Sequence, residues 1–178
     1  MLFESSLKKD ADHESHILDS SIVRVHQHAC RAYCKADQPI QMMGRSRGGL
    51  STKIHVVVDG LGYPIEIAIT EGQVHDIIQA NLVLNGENSE YVICDKGYDS
   101  QEFRNAIQRQ NRKAVIPSRK CRKEAIEYDR HIYKERHLVE NFFCKMKEYR
   151  RLSTRYDAMT SSFRAFVILA SILVWLRF

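Results

Sequence analysis

The central segment of this chain reads Lys53-Ile-His-Val-Val-Val-Asp59-Gly60-Leu-Gly62-Tyr-Pro64-Ile-Glu-Ile-Ala-Ile-Thr70. Its two outer parts are rich in β-branched residues, which favour strands. The two glycines between them are typical of a hairpin turn. The segment therefore predicts a pair of antiparallel strands, and the other elements can be assigned outward from it.

Upstream, residues 16–25 form a short apolar run that predicts a first strand carrying Asp19, followed by a polar, glycine-containing loop as far as Leu50. Downstream, apolar periodicity predicts alternating helices and strands: helix 75–84, strand 90–95, helix 100–110, strand 113–117, and helices 131–150 and 160–176. Three leading strands followed by helix-linked strands indicate an α/β (mixed α+β) fold. We expect a five-stranded mixed sheet with helices on both faces.

The totals indicate one domain in a reducing compartment. A chain of 178 residues with 44% hydrophobic content suits a single core, so we expect one domain over residues 1–178. Five cysteines without a pattern, and an N-terminus without a signal peptide, favour the cytoplasm. The longest apolar run, residues 165–176, is too short to cross a bilayer and predicts a buried terminal helix.

Basic residues are concentrated in the second half of the chain. The formal net charge is +5, but residues 103–156 hold sixteen Lys or Arg against six Asp or Glu, whereas residues 1–60 hold eight against seven. Such a cluster favours a polyanionic partner, and a nucleic acid backbone rewards it through counterion release. A solvated basic face remains the alternative on charge alone.

One predicted helix carries a polar stripe with an acid between cations. Tyr133, Arg136, Glu140 and Lys147 fall within roughly 60° of one another on a helix, and the apolar side chains of that helix point the other way. Asp19 lies in the first predicted strand, and Asp95 ends the strand at residues 90–95. Three converging carboxylates suit two Mg²⁺ or Mn²⁺ ions that act on a phosphodiester. Taken singly, each acid could equally cap a turn or face solvent.

Further polar clusters were weighed in the same way. Arg45 and Arg47 stand in a glycine-rich segment that could wrap a phosphate or form a plain turn. The segment Arg119-Lys120-Cys-Arg122-Lys123 and the pair Arg150 and Arg151 border the helix that carries Glu140, which favours phosphate contact over a solvated loop. Four potential zinc ligands, His26, His28, Cys30 and Cys34, follow no common zinc spacing, so incidental thiols are the preferred interpretation.

The spacing Tyr133-x2-Arg136-x3-Glu140-x6-Lys147 resembles the Y-R-E-K signature of bacterial insertion-sequence transposases of the DDE class. Asp19-Ser-Ser-Ile-Val-Arg-Val-His-Gln-His28 is similar to the first-acid segment of that family, and Asp95-Lys-Gly-Tyr-Asp99 to its second-acid segment. The basic glycine loop that begins at Gly44 and the segment from Arg150 to Asp157 also agree, so the resemblance spans nearly the whole chain.

This resemblance implies a ribonuclease H-like fold and a metal-dependent DNA transposase. It implies that Asp19, Asp95 and Glu140 bind the metal ions and that Tyr133, Arg136 and Lys147 contact transposon-end DNA. Water would free a 3′ hydroxyl, which would then attack target DNA, and two ends would be held by a dimer.

The family also suggests an alternative. Only eighteen residues precede Asp19, so we expect the N-terminal end-recognition region to be absent. The chain would then be either a downstream-frame product joined to an upstream-frame product, or a non-catalytic DNA-binding remnant. A nuclease of the same fold that acts on RNA or branched DNA is a third hypothesis.

Overall fold

The computed structural model describes residues 14–32, 41–84, 89–122 and 124–176. Its strands are β1 (Ser15–Val25), β2 (Gly44–Ser46), β3 (Gly49–Val58), β4 (Pro64–Glu71), β5 (Tyr91–Cys94), β6 (Lys113–Val115) and β7 (Thr154–Arg155). Its α-helices are α1 (Asn81–Leu84), α2 (Gln101–Arg109), α3 (His137–Lys147), α4 (Arg150–Ser153) and α5 (Thr160–Trp175). Short 3₁₀ helices cover Ala29–Ala32, Asp76–Gln79, Lys96–Tyr98 and Ile132–Arg136.

The strands form one mixed sheet in the order β2-β3-β1-β5-β6, in which β4 also pairs with β3 and β7 with β1. β5 is parallel to both β1 and β6, whereas β2 and β3 are antiparallel. The five strands predicted from the sequence correspond, in chain order, to β1, β3, β4, β5 and β6. In the sheet they lie in the order third, second, first, fourth, fifth. The predicted mixed sheet is confirmed, but it has seven strands because β2 and β7 add short pairings that the sequence did not reveal.

By its contacts the chain divides into two compact units. The first unit contains the residues up to Asp19, Val56–Glu66 and His75–Asn141. The second contains Ser20–His55, Ile67–Val74 and Phe142–Phe178.

The core of the first unit lies around the parallel strands and α2. Its members come from β1, β3, β5, α2 and the adjoining turns, and are Leu18, Val57, Ala80, Val92, Cys94, Tyr98, Phe103, Ile107 and Ile116. Helix α2 begins where the Ser100 hydroxyl accepts from the Phe103 amide, and it buries Phe103 and Ile107 on one face. Burial of these side chains positions the middle of β1, where Asp19 stands, and the end of β5, which Asp95 follows.

The second unit is organised around a buried arginine. Arg155, which is 0% exposed, donates to the Thr52 hydroxyl (2.7 Å) and to the Asp157 carbonyl (2.9 Å), and it lies over the Phe163 ring at 5.0 Å. Burial lowers the pKa of Arg155 to about 10, although the charge of Asp157 opposes this. The sequence does not single out this arginine, since its environment depends on segments far apart in the chain.

Three predicted elements differ from the structure. The stretch before Leu50 is not wholly loop, because β2 pairs with the start of β3, which begins at Gly49 rather than Lys53. The helix predicted over residues 75–84 is a 3₁₀ turn capped by the His75 side chain and followed by the short α1.

The helix predicted over residues 131–150 is also divided. Its first part, Ile132–Arg136, is a 3₁₀ helix because the Asp129 carboxylate accepts from the amides of His131 (2.7 Å) and Ile132 (3.1 Å) and fixes a tight first turn. It ends at Lys147, and the backbone is extended at Tyr149 before α4 begins.

The terminal helix α5 is only partly buried, contrary to the prediction. It buries Phe163, Val167, Ala170, Ser171 and Val174, while Leu169 is 50% exposed and Leu173 36% exposed. Within the ranges given above, no helix combines the length and apolar character that crossing a membrane requires.

Candidate active site

The first two predicted acids occupy equivalent positions on neighbouring strands. β1 and β5 run parallel in a register that pairs Leu18 with Cys94. Asp19 directly follows Leu18, and Asp95 directly follows Cys94. The backbones of the two acids therefore lie about one strand spacing apart, roughly 4.8 Å. Burial raises the pKa of the Cys94 thiol, and the negative charges of Asp19 and Asp95 raise it further.

Asp95 is held by the turn that follows it. It caps the 3₁₀ helix Lys96–Tyr98, and its Oδ1 accepts a hydrogen bond from the Gly97 amide at 2.7 Å. A Cβ at position 97 would stand 2.7 Å from that same oxygen, closer than real Cβ contacts. Glycine is therefore required at position 97 if Asp95 is to keep this orientation.

Arg136 joins the first acid to the third. Its Nη1 donates to Asp19 Oδ2 at 2.7 Å, and its Nη2 donates to Glu140 Oε1. Burial lowers the pKa of Arg136, but the carboxylates of Asp19 and Glu140 outweigh it and the net pKa is raised. One guanidinium thus bridges two of the three predicted acids.

Tyr133 lies on the same side of the site. In a 3₁₀ helix, residues three apart eclipse one another, so Tyr133 and Arg136 share a face even though the predicted α-helix begins only at His137. The Tyr133 ring meets Tyr128 edge-on at 5.4 Å. Burial raises the pKa of Tyr133, Arg136 opposes this, and the charges of Asp95 and Asp19 add to it.

The donor set suits a hard divalent cation, since it consists of carboxylate oxygens, and two of the carboxylates share a single positive charge. The guanidinium of Arg136 acts as the stand-in cation between Asp19 and Glu140. In residues 14–32, 41–84, 89–122 and 124–176, however, no three His, Cys, Asp or Glu side chains are grouped closely enough to hold a metal ion. The side chains thus fit a metal by chemistry, while the arginine takes the central place.

A cluster of one acid and three arginines next to the site was not predicted. Asp99, 7% exposed, follows the turn Lys96–Tyr98 and binds Arg104, Arg122 and the backbone of Arg119. Arg119 and Arg122 therefore bind an acid of the protein itself, although the sequence favoured phosphate contact for them. Lys123 lies outside the described residues. The sequence feature that could have revealed this cluster is Asp99 itself. It stands four residues after Asp95 and precedes an arginine-rich loop.

A surface depression of about 460 Å³ opens beside Asp95. It is lined by His75, Asp95, Lys96, Gly97, Arg119, Lys120 and Cys121. Its basic lining places positive charge next to the carboxylate of Asp95, for which the sequence predicts a role in phosphoryl transfer.

The other predicted DNA contacts belong to the second unit. Arg45 lies in β2 and Arg47 in the following turn, and both are exposed, as are Lys147 and Arg150. Lys147 ends α3, seven residues after Glu140. Arg151 donates to Asp157 at 2.8 Å and lies over the Phe166 ring at 4.1 Å, so its charge is already partnered.

The histidine and cysteine cluster has another structural role. His26 stacks on His28 at 4.9 Å and on Tyr156 at 4.5 Å, and Cys30 donates to the His26 carbonyl. Cys34 lies outside the described residues. The three ligand candidates that the structure describes therefore form an aromatic stack and a local hydrogen bond.

Comparison with known proteins gives consistent matches. A family model described as "Transposase DDE domain" matches residues 11–175. A Brucella ovis protein named as a transposase for insertion sequence element IS6501 is 39% identical over 131 residues, which are 72% of this chain and 100% of that protein. A Burkholderia cepacia protein named as a transposase for insertion sequence element IS402 is 26% identical over 142 residues, and the match covers 73% of this chain and 64% of that protein.

Among solved structures, a chain of the simian T-cell lymphotropic virus intasome in complex with PP2A regulatory subunit B56 gamma has a TM-score of 0.48. The two chains are 13% identical, and the match covers 90% of this chain and 48% of that one.

Proposed function

Because this chain belongs to the Transposase DDE domain family, polynucleotidyl transferases of DNA transposition, we propose that Asp19, Asp95 and Glu140 are its active-site acids. One observation carries this proposal. The register of β1 and β5 aligns Asp19 with Asp95, and Arg136 links Asp19 to Glu140. Two acids that are far apart in the sequence thereby share one cation, and the third follows the strand next to the first.

The three acids would hold two Mg²⁺ or Mn²⁺ ions. When bound, such ions activate an attacking oxygen and stabilise the leaving oxygen of a phosphodiester. The protein's own part is to fix the carboxylates: Gly97 orients Asp95, and the β1–β5 register sets the separation of Asp95 from Asp19. Arg136 must release Asp19 and Glu140 for both acids to serve as ligands.

The proposed reaction has two phosphoryl transfers. In the first, the oxygen of a water molecule bonds to phosphorus at the transposon end while the bond from phosphorus to the 3′ oxygen breaks. That oxygen takes up a proton, which leaves a 3′ hydroxyl and a 5′ phosphate. In the second transfer, the 3′ hydroxyl loses its proton and bonds to a phosphorus of target DNA, and the 3′ oxygen of the target strand leaves with a proton.

Double-stranded DNA, as transposon ends and as target, is the proposed partner. The depression beside Asp95 offers Lys96 and Lys120 to a backbone phosphate. Arg136 is proposed to turn from the acids to a phosphate, next to Tyr133. We also assign Lys147, Arg45, Arg47 and Arg150 to phosphate contact, where each neutralised charge adds to the salt dependence. Arg151 would join them by exchanging its Asp157 partner for a phosphate.

Two further proposals concern the setting of the reaction. Joining two transposon ends to one target requires two active sites, which supports a dimer on DNA. The bacterial origin of both matched transposases supports the bacterial cytoplasm as the location.

The test uses the purified chain, DNA that carries the terminal repeats flanking its gene, and either Mg²⁺ or Mn²⁺. We expect nicks that end in a 3′ hydroxyl, and joined products when target DNA is added. Chelation by EDTA should abolish both. Salt-sensitive DNA binding without any nicking would instead identify a non-catalytic DNA-binding remnant, and cleavage that ignores the terminal repeats would identify a nuclease.

A further inference from the structure

The buried carboxylate of Asp99 binds a set of arginines next to the turn that holds Asp95. Its Oδ1 accepts from Arg104 Nε at 2.9 Å and from Arg122 Nη2 at 3.0 Å. Its Oδ2 accepts from the Arg119 amide at 2.8 Å and from Arg122 Nε at 3.1 Å. Four hydrogen bonds fill the acceptor capacity of a carboxylate, so Asp99 fixes the backbone at Arg119.

The side chain of Arg119 returns to the turn between the two acids. Its Nε donates to the Lys96 carbonyl at 3.0 Å, and its Nη2 donates to the Gly97 carbonyl. The amide of Gly97 donates to Asp95 Oδ1 at 2.7 Å. Gly97 is therefore held at its carbonyl by Arg119 and holds Asp95 with its amide.

We infer that Arg119, anchored by Asp99, is a positioning residue that orients the carboxylate of Asp95 for metal binding. The inference rests on the proposed role of Asp95. Arg119 acts through the peptides on either side of Gly97, since its guanidinium donates to the Lys96 and Gly97 carbonyls. Fixing these peptides sets the rotamer of Asp95 and hence the place of its second oxygen, Oδ2.

The same geometry argues against Arg119 as a phosphate contact. A phosphate would have to draw its guanidinium away from two carbonyl oxygens, which would release the turn. Charged donors engaged by buried or backbone acceptors are costly to remove. The depression beside Asp95 still offers Lys96 and Lys120 for an anion.

The test compares Arg119→Ala with the wild-type chain and with Arg109→Ala, which removes an exposed guanidinium from α2 in the same unit. Fe²⁺ replaces Mg²⁺, and peroxide with ascorbate then cuts the polypeptide near bound iron. We expect the wild type and Arg109→Ala to be cut near residues 19, 95 and 140. Loss of an outer partner of a metal ligand costs about 10- to 100-fold in metal affinity, so Arg119→Ala should need at least about tenfold more Fe²⁺ for the cut near residue 95.

DNA binding over a salt series gives the second readout. A positioning role predicts an unchanged salt slope for Arg119→Ala. A wild-type iron requirement near residue 95, together with a salt slope that falls by about 0.9, would show a phosphate contact and overturn the inference.

Arg119→Lys covers the case in which the alanine variant does not fold. It keeps the charge but cannot span both carbonyls, so positioning predicts weakened cutting near residue 95 with unchanged DNA affinity. Wild-type cutting would contradict it.

Asp95→Asn separates this inference from the proposed function. If the wild type is not cut near residue 95, or Asp95→Asn retains full strand transfer, the proposed triad fails and the inference fails with it. If Asp95→Asn is inactive while both Arg119 variants bind iron normally, only the positioning role is wrong.

Discussion

Arg136 and Asp19 form an ion pair in which guanidinium Nη1 lies 2.7 Å from carboxylate Oδ2. The other amino group of Arg136 engages Glu140. Since a divalent cation would use the same oxygens, the guanidinium and the metal compete for one site. Arg136 therefore keeps Asp19 and Glu140 together by balancing their negative charge when no divalent cation does so.

Substitution Arg136→Ala should separate metal binding from DNA binding. Removal of the competing cation should tighten Mn²⁺ binding, by about tenfold if the competition is worth about 1.4 kcal/mol. DNA affinity should fall, because a proposed phosphate contact is lost. Mn²⁺ titration by electron paramagnetic resonance and DNA binding by fluorescence anisotropy measure the two effects. Weaker Mn²⁺ binding would show that Arg136 assembles the site instead of competing for it.

Substitution Glu140→Gln should abolish DNA cleavage and strand transfer while DNA binding persists. The amide keeps the size of the side chain but loses the charge that a divalent ion needs. Glu148→Gln, which neutralises another exposed carboxylate beyond the end of α3, is the matched control and should remain active. Full activity of Glu140→Gln would remove Glu140 from the triad.

The sequence predicted the order of strands and helices along the chain, because local patterns of β-branched and apolar residues reflect which side chains are buried. It also placed Asp19 within the first strand and Asp95 at the end of the fourth, and the pairing of Leu18 with Cys94 is consistent with that assignment. The 3₁₀ segment Ile132–Arg136 escaped prediction, since the Asp129 side chain decides the turn and helical periodicity does not reveal it.

Long-range partners were also beyond the sequence. The engagement of Arg119 and Arg122 by Asp99 depends on residues some twenty positions apart, and no local pattern distinguishes a structural arginine from a DNA-binding one. The pairing of Arg151 with Asp157 is closer in sequence, but its stacking on Phe166 depends on α5.

Substitution Lys147→Ala should weaken binding to all DNA sequences equally. Lys147 is exposed at the end of α3, and loss of one phosphate contact should lower the slope of log K against log salt by about 0.9. Lys113→Ala is the control, because Lys113 is paired with Glu90 and both side chains are more than half exposed. Anisotropy titrations at several salt concentrations provide the slopes. Equal slopes for Lys147→Ala and the wild type would exclude a phosphate contact at this position.

Substitution Asp99→Asn should destabilise the fold at neutral pH but much less in acid. Burial opposes ionisation of Asp99, yet hydrogen bonds from Arg119, Arg122 and Arg104 outweigh it and lower the net pKa. Because the folded pKa lies below the unfolded one, the carboxylate contributes stability above the unfolded value of about 3.9, and this is lost as pH falls through the folded value.

Breaking such a buried pair costs about 3–5 kcal/mol, so urea unfolding at pH 7 should show a loss of that size in Asp99→Asn. The difference from the wild type should narrow as pH falls from about 4 through the lower folded pKa, below which the native protein has lost the same charge. Asp129→Asn, at an exposed carboxylate that accepts from the amides of His131 and Ile132, provides the comparison and should change stability far less. A pH-independent deficit in Asp99→Asn would mean that shape at this position matters, and that the charge does not.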